Sequence, residues 1–220
     1  MTNEEIVSAA LQEVKNPQWA MTEQFFEIHD LEEIDPIALI EDTGNDSEPN
    51  PTWRVYMNLR DVHYYFQIGF ERQRGVLRVI GCNSSEHASV RLNIYSEVDS
   101  PEQIEQALEL PASFKGYEGE RIHPRSSKIR DDHVYTFKAK APDAWTFDRK
   151  LERLLDDLLP VRQQLREVYE RSTSCMINVA YYAWQSQMWG CHLSANTIQR
   201  LSALGVALDI DMYAEGPELL

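Results

Sequence analysis

The sequence predicts an α+β fold in which helices pack on one face of a mostly antiparallel sheet. Between residues 53 and 82 three short strand candidates follow one another through tight turns, which is typical of an antiparallel meander. From 147 to 171 the apolar residues keep a single helical stripe. Beyond residue 90 short strands and helices are interspersed, with at least one tight hairpin, which indicates an α+β sandwich.

The N-terminal region begins with a helix and continues into a three-stranded meander. Thr2 and Glu5 have the spacing of a capping box, and Asn16-Pro17 ends the helix that follows. Residues 24–40 resist assignment, and a polar loop rich in Pro and Gly follows them. The three strand candidates, which carry the period-2 pattern or β-branched and aromatic residues, are 53–60, 62–70 and 76–82.

The C-terminal region has stronger helix signals. Ser100-Pro101 starts a helix as N-cap and first helical residue. The stripe over 147–171 survives on both sides of Pro160, so we expect one long kinked helix. Residues 175–184 and 188–193 are predicted to form a hairpin. A helix capped by Ser194 and ended by Gly205 leads into a last strand at 206–213. The best boundary lies in CNSSEHAS, which gives domains 1–87 and 88–220.

Three segments of the C-terminal domain carry a resemblance to a known family. They read DSPEQIEQALEL, RKLERLLDDLLPVRQQL and CHLSANTIQRLSALGVALDIDMY. The third is the most specific, because it combines a helix, LxxLG and a strand that ends in Asp-x-Tyr. Over about residues 88–214 the chain resembles the domain of unknown function family 4279, and residues 1–87 fall outside it. The resemblance implies a fold and transfers no functional residues.

Composition and motifs exclude several classes of protein. No apolar run approaches the ~20 residues of a membrane helix, and the N-terminus is acidic rather than like a signal peptide. Three cysteines without a CxxC spacing argue against a disulfide scaffold or a zinc ribbon. The motifs of phosphate loops, dinucleotide sites, zincins and serine hydrolases are absent. We therefore expect a soluble, cytoplasmic protein with no catalytic residues, no cofactor and no bound metal.

Negative charge is concentrated near the N-terminus. The chain has a net charge of −15, and residues 1–50 contain 13 acidic residues but only one basic residue, Lys15. Such a field repels nucleic acid and attracts basic proteins. Solubility alone is the alternative explanation of the charge. We expect a non-catalytic protein-binding module, such as an immunity-type neutraliser of a basic toxin. An enzyme with a dispersed site and a small-molecule sensor stay open as alternatives.

The acidic residues predicted to contact such a partner lie among aliphatic residues that would supply a desolvated centre. They are Asp30, Glu32, Glu33, Asp35, Glu41 and Asp42, and the interspersed aliphatic residues are Ile34, Ile37, Leu39 and Ile40.

A second candidate surface follows from the register of the predicted hairpin. One hairpin face is apolar and suits the core, whereas the other combines aromatic, Met and polar residues. The candidate interface or ligand residues on that other face are Asn178, Tyr182, Trp184, Met188 and His192. Burial of this face against residues 1–87 is the alternative.

For three weaker groupings of polar residues we favour an ordinary structural explanation over a binding site. Asp209 and Asp211 project from one strand face, but solvated acidic pairs are far commoner than cation sites. The other groupings are His123 with Asp131, Asp132 and His133, and His29 with the acids that follow it. Cys175 and Cys191 are too far apart in the hairpin register to form a disulfide.

Overall fold

The computed structural model of the protein describes residues 2–32, 36–41 and 52–218. They form two compact units. Unit 1 takes residues 1–87, 182–189 and 213–220, and unit 2 takes 88–181 and 190–212. Two segments from the predicted C-terminal domain therefore belong to the first unit.

Unit 1 begins with two helices, α1 (Asn3–Lys15) and α2 (Ala20–Phe26). The capping box of α1 is confirmed, because the Thr2 hydroxyl accepts from the Glu5 amide while the Glu5 carboxylate accepts from the Thr2 amide. Helix α2 was not predicted, and its last three residues fall in the segment 24–40 that resisted assignment. Its N-cap residue, Trp19, makes no side-chain cap hydrogen bond, and the buried Glu13 carboxylate accepts from the Trp19 amide.

The sheet of unit 1 is an antiparallel meander of four strands rather than three. The strands are β1 (Ile37–Glu41), β2 (Thr52–Asn58), β3 (Tyr65–Gln73) and β4 (Val76–Ser85), in that spatial order. The added strand β1 pairs with β2 in a register that places Ile37 opposite Tyr56. It was not predicted because its run of apolar residues is short and follows a proline.

The core of unit 1 is aromatic. Phe25 of α2 stacks on Phe66 of β3 with ring centroids 4.5 Å apart, and it meets Trp184 edge-on at 5.3 Å. Ile6 of α1 and Val55 of β2 complete the centre, and all five side chains are buried. Trp184 thus packs among residues of the N-terminal region.

Unit 2 is built on a five-stranded sheet with the spatial order β6-β7-β5-β8-β9. Its strands are β5 (His87–Ser96), β6 (Phe114–Gly116), β7 (His133–Phe137), β8 (Ser174–Trp184) and β9 (Ala207–Glu215). The predicted hairpin between 175–184 and 188–193 is wrong, because residues 188–193 form no strand. Since β5 and β9 flank β8 on its two edges, that segment has no edge of β8 to pair with.

Four helices complete unit 2, and the predicted capping of two of them is confirmed. They are α3 (Pro101–Leu108), α4 (Phe147–Leu158), α5 (Arg162–Arg171) and α6 (Ala195–Leu204). Ser100 caps α3 in a capping box with Gln103, and Ser194 caps α6. The predicted long kinked helix is two α-helices joined by the 3-10 turn Leu159–Val161. Pro160 has no amide hydrogen and therefore breaks the α-helical ladder there.

The apolar stripe over this helical pair faces the interior, as predicted. Leu151, Leu154 and Leu158 of α4 and Leu165 of α5 have no exposed surface. On β8 the buried residues alternate with half-buried ones, starting from Cys175. This confirms that the odd-numbered face of β8 is the core face.

Replacing Leu154 with Ala is expected to lower the free energy of unfolding by about 2–5 kcal/mol, because it leaves a cavity at a fully buried site. Chemical denaturation measures this change. The matched control is Gln164→Ala on exposed α5 surface, where the expected change stays within about 0.5 kcal/mol. A loss below about 0.5 kcal/mol in Leu154→Ala would contradict the core assignment.

Candidate functional site

The structure describes the side chains of two of the six carboxylates predicted to contact a partner. These two, Asp30 and Glu32, are exposed. Glu41 lies in β1, where its backbone alone is described. The three that lie outside the described residues are Glu33, Asp35 and Asp42.

Backbone hydrogen bonds hold Asp30 and Glu32 against the end of β2. The Arg60 amide donates to the Asp30 carbonyl at 2.9 Å, and the Glu32 amide donates to the Asn58 carbonyl at 3.0 Å. The Arg60 guanidinium lies 3.9 Å from the Asp30 carboxylate, and both side chains are largely exposed. An exposed ion pair at this distance contributes little stability. The carboxylates therefore stand on an ordered backbone and keep their charge toward solvent.

Helix α2 adds two exposed carboxylates and an exposed aromatic ring. Trp19, Glu23 and Glu27 stand at four-residue spacing, at the N-cap, in the interior and at the C-cap of α2. Trp19 is 40% exposed, and Met21 beside it is 41% exposed. The Trp19 carbonyl accepts from the Glu23 amide at 3.2 Å, so the backbone that carries the ring is fixed. We call Trp19, Glu23, Glu27, Asp30 and Glu32 the acidic surface.

His29 is a core residue and not a ligand within the acidic cluster. Its ring is buried, and Nδ1 lies 2.9 Å from the Phe25 carbonyl, which accepts only from an N–H. Nε2 therefore accepts from the Tyr64 hydroxyl at 2.7 Å. Burial lowers the pKa of His29 below its ordinary value. Burial, together with the nearby Glu215 carboxylate, raises the pKa of Tyr64.

The residues of the second candidate surface do not share one face. Asn178 accepts from the Asn93 amide group at 2.8 Å, and Asn93 in turn accepts from the Thr136 hydroxyl at 2.8 Å. Trp184 is buried in the core of unit 1. Met188 and His192 are exposed and lie outside any strand. The prediction that all five line one surface was argued from the hairpin, and residues 188–193 form no strand.

Tyr182, the remaining residue of that candidate surface, belongs to an aromatic group in unit 1. Its ring stacks on Tyr213 with centroids 4.8 Å apart and lies 4.7 Å from His63. The His63 ring nitrogen Nδ1 is 3.0 Å from the Glu215 carboxylate. These contacts join segments that are distant in sequence, and they pack Tyr182 against its neighbours in unit 1.

The weaker groupings do not converge. Asp209 and Asp211 are exposed on β9. Asp132 accepts from the Thr173 hydroxyl at 3.0 Å, whereas His133 accepts from the Glu118 amide at 3.2 Å. In the described ranges no three His, Cys, Asp or Glu side chains are arranged to hold a metal ion. Among the described residues, Cys82, Cys175 and Cys191 form no disulfide.

Sequence reasoning missed a groove in unit 2. It lies between the chain that leads into β6 and the chain that leaves β7, and its cavity volume is about 690 Å³. Three cationic residues line it, Lys138, Lys140 and Arg153. The pair of lysines in the segment KAK was the available signal, but the third cation, Arg153, comes from helix α4.

Comparisons with known proteins give one match. The family model described as a domain of unknown function (DUF4279) matches residues 85–215. No curated protein and no solved structure matches the chain. None of the helices that the structure describes has both the length and the apolar character needed to cross a bilayer.

The buried His29 predicts a pH dependence of stability. Because the pKa of His29 is lowered in the folded state, the unfolded chain binds the proton first as the pH falls below about 6.5. The free energy of unfolding is therefore expected to decline below this pH. The loss is about 1.4 kcal/mol for each unit by which burial lowers the pKa. Urea denaturation at pH 7.5 and 5.5 measures it.

The variant His29→Gln removes this titration while it keeps groups that can bond to Tyr64 and the backbone. Its stability is expected to change less between the two pH values than that of the wild type. His123→Gln, at an exposed histidine, is the control and keeps the wild-type dependence. Equal pH dependence in the wild type and His29→Gln would refute the assignment.

Proposed function

The chain belongs to the DUF4279 family through residues 85–215, and we propose that it is a non-catalytic protein-binding module whose acidic N-terminal part recognises a basic protein. An immunity-type neutraliser of a basic toxin is the specific form that we favour. The matched range leaves residues 1–84 outside the family domain. The concentrated negative charge lies in that N-terminal part, so partner recognition would be an addition to the family domain.

The distribution of charge supports this proposal. Residues 51–220 contain 23 acidic and 20 basic residues, and nearly all of the excess negative charge lies in the first 50. Within the described ranges, the carboxylates of Glu23, Glu27 and Glu32 form no ion pair, and Asp30 has only the distant Arg60. Carboxylates that the protein does not neutralise itself are available to lysines and arginines of a partner.

The observation that carries the proposal is an exposed tryptophan within this acidic surface. Trp and Arg are the residues most enriched in the energetic centres of interfaces, and an acidic surface alone would steer a partner without holding it. The buried Glu13 carboxylate accepts from the amides of Gln18 and Trp19, at 3.0 and 3.1 Å, and so orders the turn that presents the ring. A pre-ordered anchor loses less conformational entropy on binding.

These two features have separable effects on binding kinetics. Exposed charges act mainly on the association rate, and salt screens them. A buried aromatic anchor acts mainly on the dissociation rate. The proposal therefore predicts a salt-sensitive association step that depends on carboxylates and a salt-insensitive dissociation step that depends on Trp19.

Neutralising Asp30, Glu32, Glu33 and Asp35 together as Asn or Gln is expected to slow association with the partner by about tenfold or more at low salt. The difference shrinks as salt rises toward 0.5 M. The partner for this test is the basic protein that is recovered with the chain from its native cells and then purified. Stopped-flow fluorescence gives the association rate.

The matched control neutralises two aspartates and two glutamates of unit 2, as Glu97→Gln, Glu118→Gln, Asp209→Asn and Asp211→Asn, all at exposed positions. It changes the net charge equally and is expected to alter the rate by less than about threefold. An unchanged rate in the first set, an equal effect of both sets, or an acidic partner would each contradict the proposal.

Trp19→Ala is expected to raise the dissociation rate by about tenfold or more while the association rate stays within about threefold, because truncating a central anchor costs at least about 1.4 kcal/mol. Surface plasmon resonance separates the two rates. Tyr169→Ala in unit 2 is the control, since Tyr169 is also 40% exposed and aromatic. An unchanged dissociation rate in Trp19→Ala would remove the observation on which the proposal rests.

A further inference from the structure

The groove of unit 2 arises where the β6–β7 ladder ends. Strand β6 pairs with β7 for only three residues, up to Phe114 opposite Thr136. The Ser113 amide still donates to the Thr136 carbonyl at 2.8 Å. Among the described residues, no backbone hydrogen bond joins 110–112 to 137–141. Pro111 has no amide hydrogen and cannot extend the ladder, so the two segments part and leave a cleft.

The walls of this cleft are held in place by hydrogen bonds. The buried Tyr135 hydroxyl donates to the Leu110 carbonyl at 2.8 Å, and the Ala112 amide donates to the Glu105 carboxylate at 3.1 Å. The Ser113 hydroxyl donates to the Thr136 carbonyl at 3.0 Å. The groove is thus formed before any ligand arrives, which is the usual condition of small-molecule sites.

The groove has both apolar and cationic residues in its lining. Its apolar lining comes from Leu110, Pro111, Ala112, Phe137 and Ala139. Lys138 lies 3.5 Å from Asp143, and Arg153 forms an ion pair with Asp157 at 2.8 Å. Lys140 is exposed and forms no ion pair in the described part of the chain. Asp143 and Asp157 offset Lys138 and Arg153, so the cation that the groove offers to a ligand is Lys140.

We propose that this groove binds a small carboxylate with an apolar body, such as a medium-chain aliphatic acid. The apolar body would lie against the wall formed by Leu110, Pro111 and Ala112 and against the buried side chains of Phe137 and Ala139. The carboxylate would face Lys140, which forms no ion pair among the described residues. The volume of about 690 Å³ lies within the range of small-molecule sites and exceeds what such an acid fills. This inference is independent of the proposed protein partner.

The probe for the test is octanoate. Octan-1-ol has the same alkyl chain without a charge, and octylammonium has the same alkyl chain with a positive charge. Titration calorimetry of the full chain in 50 mM salt is expected to show saturable octanoate binding, with a dissociation constant of about 1 mM or lower. Binding of octan-1-ol and octylammonium is expected to be at least tenfold weaker. Raising the salt to 0.5 M should weaken octanoate binding severalfold, because the charge contact is exposed.

Two variants locate the binding to the groove. Lys140→Glu is expected to weaken octanoate binding by about tenfold or more, since it replaces an attractive charge with a repulsive one. Lys128→Glu makes the same change at an exposed position outside the groove and should leave octanoate affinity unchanged. Ala112→Leu places a larger side chain on the groove wall and is expected to weaken binding without changing the charge.

Several outcomes would overturn the proposal. They are no saturation up to about 5 mM octanoate, equal binding of all three probes, or equal effects of Lys140→Glu and Lys128→Glu. Because Lys140 and Lys128 are both exposed, their variants are expected to keep the wild-type midpoint of urea denaturation. Loss of octanoate binding in Ala112→Leu supports the proposal when this variant also keeps the wild-type midpoint of urea denaturation. Wild-type octanoate affinity in both Lys140→Glu and Ala112→Leu contradicts the proposal.

Discussion

The hydrogen bond between His29 and Tyr64 constrains much of unit 1. Because Nδ1–H donates to the Phe25 carbonyl, Nε2 of the neutral imidazole accepts from the Tyr64 hydroxyl. A neutral ring can stack on Phe25 at 3.9 Å and meet Trp184 edge-on at 5.3 Å. The Tyr64 hydroxyl also fills the space in which a side chain at position 216 would lie, so Gly216 is required there by contact and by its positive φ.

The same interaction explains why segments distant in sequence belong to unit 1. The Trp184 indole donates to the Pro217 carbonyl at 2.8 Å, and the Gln185 amide donates to the Glu215 carbonyl at 2.9 Å. Trp184 is in turn held by the rings of Phe25 and His29. A polar pair in the core thus orders two chain segments that lie more than 100 residues beyond α2. This packing also fixes part of the acidic surface, because α2 carries both the buried Phe25 and the exposed Glu23.

Local signals predicted the elements that depend on neighbouring residues. The capping boxes at Thr2 and Ser100 and the apolar stripe from Leu151 to Leu165 involve contacts within a few helical turns, so sequence spacing was enough. Helix α2 was not predicted because its N-cap residue, Trp19, gives no capping signal, and the carboxylate that accepts from the Trp19 amide belongs to the preceding helix.

Long-range contacts set the limit on predicting the rest. The hairpin prediction treated β8 as if one edge were open, but β5, which precedes it by some 80 residues, and β9 flank it. The acidic residues could be recognised from the sequence, yet Trp19 became a candidate only through its exposure. The groove depends on three segments that no spacing rule connects, the last of them contributing Arg153 from α4.

The net charge of the chain does not exclude an anion site, and the reason lies in screening. At 0.1 M salt the Debye length is about 10 Å, so exposed charges farther than this contribute little to the potential at Lys140. The 13 acidic residues of the first 50 set the long-range field that a partner meets during diffusion. The affinity of a bound carboxylate depends instead on the few groups within one Debye length, and in the groove lining the cation that forms no ion pair among the described residues is Lys140. The overall charge is therefore an argument about encounter rates, whereas local charge decides what each site can hold.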